Sequence, residues 1–289
     1  MLNAAESHGE AMSDEAHAFV PGHITGFFTV DRGDDPIETG SRGGGLALSD
    51  GVAVTVSRGP ETEITLNDEE IEVEAVKRVL DALRTTATVT AETPLPLGSG
   101  FGVSGGLALG TALAANAVFG HGLSYNELVT IAHGAEVQAG SGLGDVVAQA
   151  RGGVPLRLEP GGPQFNYIDA IPARSRIEYV TLGELSTADV VGGDTETLTT
   201  AGERALSTVV KEPTLSTFVQ ASRQFSREAE LLTPDVKAVI DDVAEAGGDA
   251  AMAMLGETVF ALGTGLSDAG YDANVCAIYP PGATIEDEG

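Results

Sequence analysis

Apolar residues fall into three spacings along the chain, and each predicts a different element. Residues 46–56 alternate as a half-buried strand does. Ala75, Val76, Val79, Leu80 and Leu83 recur at intervals of three and four, one face of a helix that Asn67 is expected to cap. Residues 107–119 are apolar almost throughout and stop at Gly120, which predicts a helix enclosed by protein. A further stripe, Leu128, Ile131, Ala132 and Ala135, follows the capping box Ser124-Tyr125-Asn126-Glu127 and ends at Gly140. His133 and Glu136 lie three apart and are neighbours on that helix.

The remaining patterns are shorter. Residues 18–28 read as two strands around a Pro21-Gly22 turn, and residues 86–91 as a strand leading to a glycine loop. The turn Gly140-Ser141-Gly142-Leu143-Gly144 delivers Asp145 to the start of a short helix, and a strand follows Gly152-Gly153. Glu159-Pro160-Gly161-Gly162-Pro163-Gln164 is the best boundary, which gives an acidic, disordered extension over 1–17 and domains over 18–160 and 161–289. Beyond it, strand-like runs at 165–170 and 176–182 precede helices near 195–210, 215–232 and 234–246. A hairpin at 250–262 and a strand at 274–279 complete an α+β pattern, with a mobile acidic tail after Pro281.

Composition narrows the functional classes. Fifteen basic against 43 acidic residues leave a net charge of −28. Phosphate-rich partners require basic side chains, so nucleic acid and anionic membrane are poor partners. An acidic surface with three lysines, Lys77, Lys211 and Lys237, points to a protein adapted to high intracellular salt, where screening relieves self-repulsion. One cysteine, Cys276, excludes an internal disulfide and suits a reducing cytoplasm. The first 17 residues lack a basic and apolar leader, and no run approaches the length of a membrane span.

The candidate chemistry centres on 94–106, Pro-Leu-Pro-Leu-Gly-Ser-Gly-Phe-Gly-Val-Ser-Gly-Gly. Glycines without Cβ atoms leave backbone N–H groups free to converge on one bound group, and a helix N-terminus favours an anion. Gly100-Phe101-Gly102-Val103-Ser104-Gly105 fits the dinucleotide fingerprint, but no Asp or Glu occurs over 93–126 to hold a ribose. Gly102-Val103-Ser104-Gly105-Gly106 fits a nucleophile elbow, yet His133 is the last histidine and only Glu127 is acidic between Ser104 and it. A Walker loop needs a lysine, absent between Lys77 and Lys211. A ligand-free glycine turn is the remaining plain alternative.

The surviving pattern, Pro94 through Gly105, resembles the central motif of the GHMP small-molecule kinases. Phe101 and Val103 depart from it, and Ser104 is kept. Phe19-Val20-Pro21-Gly22-His23-Ile24-Thr25-Gly26-Phe27-Phe28 resembles the first motif of that family, in the wording of its archaeal pantoate kinase branch. The segment from Glu136 through Ser141, Gly142 and Asp145 resembles a further family block, whereas 250–262 keeps only Gly256 of the third motif, which weakens a phosphate role for that loop. The resemblance implies a ribosomal-protein-S5-domain-2-like N-terminal domain and a ferredoxin-like C-terminal domain. It also implies ATP and Mg²⁺ as cofactors and leaves a homodimer open.

Within that resemblance, the ATP loop comprises Pro96, Leu97, Gly98, Ser99, Gly100, Phe101, Gly102, Val103, Ser104, Gly105 and Gly106. Ser104 and Glu136 are expected to hold magnesium, and Asp145 to accept the proton of a substrate hydroxyl. Glu136 reads otherwise as a solvated helix carboxylate and Asp145 as an N-cap. Ser41, His133, Arg157 and His23 are the candidate contacts to a small hydroxy acid, an arginine being able to grip its carboxylate with two hydrogen bonds. Ser41 reads equally as a polar hairpin residue, His133 as a satisfied helix histidine and His23 as a turn histidine bonded to backbone. Pantoate is the expected acceptor, with mevalonate or homoserine as alternatives and a catalytically silent ligand-binding homologue as the rival class.

Overall fold

The computed structural model describes residues 14–183 and 195–286. Its first sheet is built on two long antiparallel strands, β1 (Glu15–Phe28) and β2 (Gly43–Arg58). Strands β3 (Glu63–Leu66), β4 (Glu69–Glu70) and β5 (Ala87–Glu92) extend it beyond β2. Strand β6 (Val154–Glu159) pairs with β2 at Gly43 and Gly44, and β7 (Tyr167–Ile171) pairs with β6. The boundary expected near residue 160 thus falls between two strands of one sheet.

Three helices cover one face: α1 (Glu74–Leu83), α2 (Val103–Phe119) and α3 (Tyr125–Ala139). Helix α2 lies innermost and is buried nearly all round, as its uninterrupted apolar sequence requires. Gly110 lets it approach the sheet, since a Cβ there would sit 2.5 Å from the Val54 side chain. Helix α3 carries the expected capping box, with Ser124 and Glu127 bonded reciprocally, and closes on a left-handed Gly140. Helix α4 (Asp145–Arg151) runs back toward the glycine loop.

The second sheet orders β11 (Asn274–Ala277), β8 (Arg176–Gly183), β10 (Glu257–Leu262) and β9 (Ala250–Ala253), all antiparallel. Helices α5 (Glu196–Lys211), α6 (Leu215–Glu228), α7 (Pro234–Glu245) and the short α8 (Gly265–Asp268) accompany it. The two halves share a core. Phe218 of α6 stacks at 5.7 Å on Phe27 of β1 and at 6.2 Å on Phe260 of β10. The chain is α+β, with the helices and sheets in separate layers.

Four local expectations are corrected. Residues 18–28 form one strand, not two, because Pro21 sits at a bulge where its missing N–H leaves no ladder bond unmade. That bulge turns β1 so that the His23 amide donates to the Phe101 carbonyl of the glycine loop at 2.9 Å. Asn67 does not cap α1, which starts behind Val73 without a side-chain cap. Asn67 and Asp68 both take positive φ in a two-residue hairpin between β3 and β4, a conformation these residues tolerate well. The acidic tail is not free after Pro281: β12 (Thr284–Glu286) pairs with the open edge of β1. Residues 15–17, expected in the extension, are likewise strand, while residues 1–13 lie outside the described residues.

Candidate active site

The glycine loop connects β5 to α2 across the top of the first sheet. Gly98, Gly100 and Gly102 adopt φ of 79°, 86° and 64°, which side chains rarely do, so the alternation of glycine is a requirement of the loop's path. Gly102 caps α2, and the helix begins at Val103 rather than at the apolar run. The turn between β9 and β10 packs against the loop from outside. A Cβ on Gly100 would lie 2.8 Å from the Met254 carbonyl, and one on Gly256 2.1 Å from the Ser99 carbonyl. Thr258 donates to that same Ser99 carbonyl at 3.1 Å. Although poor in glycine, this third segment therefore braces the loop and lines its cleft.

That cleft encloses about 330 Å³. Leu97, Gly98, Gly100, Phe101, Gly102, Val103, Ser104 and Gly105 line it, with Glu136, Ser141, Asp145, Met254 and Leu255 opposite. Pro96, Ser99 and Gly106 of the predicted loop do not face it; Ser99 is buried beneath, and Gly106 packs on Val52.

Glu136 is not solvated. It is 2% exposed and accepts hydrogen bonds from Ser104 Oγ at 2.6 Å and Ser141 Oγ at 2.8 Å, both on Oε1. Burial pushes its pKa up to about 7, the two hydroxyls pull down, and the Asp145 charge adds to the rise. Oε2 has room only because residue 142 is glycine, where a Cβ would come within 2.3 Å. Among the described residues, no group of three or more His, Cys, Asp or Glu side chains forms a protein-only metal cage. A hard divalent cation needs one or two carboxylates plus phosphate oxygens and water, and Glu136 beside the Ser104 hydroxyl fits that donor set.

Asp145 opens α4, but its side chain does not cap the helix. Oδ1 meets His23 Nδ1 at 2.7 Å and accepts from Thr25 Oγ1 at 3.4 Å. Burial alone would raise the Asp145 pKa; the hydrogen bond from His23, the Arg157 charge and Thr25 overcome it and hold the group below the ordinary carboxylate range. Burial also lowers the His23 pKa despite that carboxylate, so the ring is neutral and its hydrogen resides on Nδ1, the nitrogen facing an acceptor-only group. His23 Nε2 is buried without a partner, beneath Gly45.

A second, narrower pocket adjoins the first and shares Thr25, Asp145 and Leu255 with it. Its polar wall is Ser41 and Arg157; its apolar wall is Phe28, Leu143 and Leu255. Arg157 is 2% exposed, yet it finds only Ser41, through Nε to the carbonyl and Nη2 to Oγ, each at 3.3 Å. Its Nη1 has no partner. Burial depresses the guanidinium pKa, and the nearby Asp145 charge opposes this. A buried guanidinium with an unused donor is costly unless an anion completes it.

Of the four predicted substrate contacts, Ser41 and Arg157 line this pocket, while His23 and His133 stand one layer behind it. His133 donates from Nε2 to the Thr39 carbonyl at 2.9 Å and so anchors the segment that carries Ser41. Sequence reasoning missed Thr25, Ser141 and Gln149. Gln149 lies one helical turn from Asp145, fully buried, and its Nε2 donates to the Pro21 carbonyl at 2.9 Å and the Gly102 carbonyl at 3.0 Å. One amide thus ties α4, β1 and the glycine loop together. Its one advance signal was a polar residue in the apolar stretch Val146-Val147-Ala148.

Known proteins resemble this chain over most of its length. Residues 71–153 match the family described as GHMP kinases N terminal domain. A pantoate kinase of Methanocaldococcus jannaschii is 32% identical over 251 residues, 84% of this chain and 91% of that protein. One from Thermococcus kodakarensis is 34% identical over 263 residues, 85% and 86% of the two chains. A solved structure described as a phosphotransferase related to the CoA biosynthesis pathway superposes with a TM-score of 0.84 at 30% identity, covering 94% of this chain and 98% of that one. In this chain a glycine loop on a helix N-terminus faces two carboxylates, Glu136 buried and Asp145 partly exposed. The chain belongs to the GHMP kinases, in the branch that contains the pantoate kinases.

Proposed function

We propose that this chain transfers the terminal phosphoryl group of ATP to the primary hydroxyl of pantoate, giving 4-phosphopantoate for coenzyme A synthesis. The observation that carries the reading is the meeting of two unlike cavities at Asp145: one walled by bare glycine backbone, the other by an unsatisfied guanidinium. The relatives named pantoate kinase, alike over most of their length, support it.

In this reading the loop amides and the first turn of α2 hold the phosphates, as helix N-termini hold anions. Ser104 and Glu136 would hold magnesium, which when bound neutralises phosphate oxygens that no nearby lysine reaches. Arg157 and Ser41 take the substrate carboxylate, and the chain of the acid extends toward Asp145. Thr25 and His23 occupy Oδ1 of Asp145, which leaves Oδ2 to accept the hydroxyl proton as oxygen attacks phosphorus. A positioned base of this kind contributes about 10²–10⁴-fold. The His23 hydrogen bond, and after it the Arg157 charge, keep it ionised. Homoserine fits less well, because the ammonium next to its carboxylate would bring a second positive charge close to the buried guanidinium.

The acidic balance, −28 overall, supports work on small molecules in a salty cytoplasm, away from nucleic acid and membrane surfaces. Among the described residues, no helix is long and apolar enough to cross a membrane. The test is a coupled ADP-release assay in molar salt with pantoate, mevalonate and homoserine, the product identified by phosphorus NMR. Pantoate-dependent ADP release giving a phosphomonoester is expected. Basal ATP hydrolysis unchanged by any of the three would reject the assignment.

A further inference from the structure

Leu255 holds a backbone conformation that leucine disfavours. Its φ is 68°, in the left-handed region where only glycine is unstrained. The turn that carries it is pinned on both sides: Met254 N donates to the Thr25 carbonyl at 2.8 Å, and Gly256 lies against the Ser99 carbonyl. Glycine would satisfy this backbone at no cost, so the backbone does not account for the leucine. Its side chain does: Leu255 lines both cavities where they meet, with Phe28 and Leu143 completing the apolar lining of the pocket that holds Ser41 and Arg157.

Pantoate differs from an unbranched dihydroxy acid by a quaternary carbon, bearing two methyl groups, next to the hydroxymethyl carbon that is phosphorylated. With the carboxylate on Arg157 and that hydroxyl at Asp145, the branched carbon falls between them. We infer that Leu255, backed by Phe28 and Leu143, reads those two methyl groups and sets the preference for a branched hydroxy acid. The inference rests on the pantoate reading above. Burying one methyl is worth roughly 0.8 kcal/mol, a factor of ~4, so two give a preference of about 15-fold over 2,4-dihydroxybutanoate.

The experiment compares kcat/KM for racemic pantoate and racemic 2,4-dihydroxybutanoate at saturating ATP, in wild type, Leu255→Gly, Leu255→Met and Leu143→Ala. Leu255→Gly is expected to fold with little change in Tm, because relief of the left-handed leucine offsets the packing it loses, while its preference for pantoate falls about 4-fold or more. Leu255→Met, similar in volume, should retain the preference. Leu143→Ala should lower it through another residue of the same lining, an arm read independently should the first variant fold poorly. A preference within two-fold of wild type in both Leu255→Gly and Leu143→Ala overturns the inference alone. A wild-type protein inert toward pantoate overturns the underlying reading and this inference with it.

Discussion

Glu136→Gln should make the ligand-free protein more stable at alkaline pH while abolishing its activity. The carboxyl is 2% exposed, and its pKa rises from 4.5 to about 7 on folding, chiefly through desolvation. An acid with a higher folded pKa binds its proton more tightly when folded. Its contribution to stability is therefore full below pH 4.5 and is lost as pH climbs through about 7. At roughly 1.4 kcal/mol per pKa unit, the loss above pH 8 is about 3 kcal/mol. Glutamine cannot lose a proton, and its Oε1 can still accept from Ser104 and Ser141. At about 2–4 °C per kcal/mol for a chain of this size, Glu136→Gln should melt roughly 6–12 °C above wild type at pH 8.5. Near pH 4.5–5 the two should nearly coincide. Calorimetry in molar salt with a chelator present reads this directly. A variant no more stable than wild type at pH 8.5, or equally stabilised at both pH values, would refute the claim that burial raises this carboxyl.

Other predictions use the same site. Asp145→Asn should lower kcat about 10²–10⁴-fold with ATP affinity unchanged, measured by steady-state kinetics and calorimetric titration. Arg157→Met should raise the KM for pantoate roughly 10–100-fold through loss of a charged hydrogen-bonding partner, yet raise the Tm of the free protein by removing an unpaired buried cation. A variant less stable than wild type would mean that the Asp145 charge outweighs the cost of burying Arg157. The acid limb of kcat/KM should lie near pH 7, where Glu136 titrates, and move to lower pH as magnesium rises, since binding through a carboxylate displaces its proton. Asp145, held low, stays ionised throughout; a limb indifferent to magnesium would assign it elsewhere.

Much of this protein is written in short-range terms. The glycine alternation at 98, 100 and 102, the burial of α2, the capping box of α3 and the turn that delivers Asp145 each depend on neighbours a few positions away. Backbone sterics and side-chain periodicity act over that distance, so composition and spacing alone specified them. The same locality misled at Asn67, where an N-cap residue is also a good hairpin residue and the partner Thr93 decided between them.

What only the tertiary structure decided are contacts between distant stretches. His23 and Asp145 are 122 positions apart, Ser41 and Arg157 are 116, and Gln149 reaches back 128 to Pro21. Desolvation has no local signature either: nothing near Glu136 in the chain distinguishes a buried carboxyl near neutrality from a wet one. The orphaned guanidinium of Arg157 becomes visible only when every group around it is known. Charge and hydrogen bonding depend on separation in space, whereas the sequence records separation along the chain.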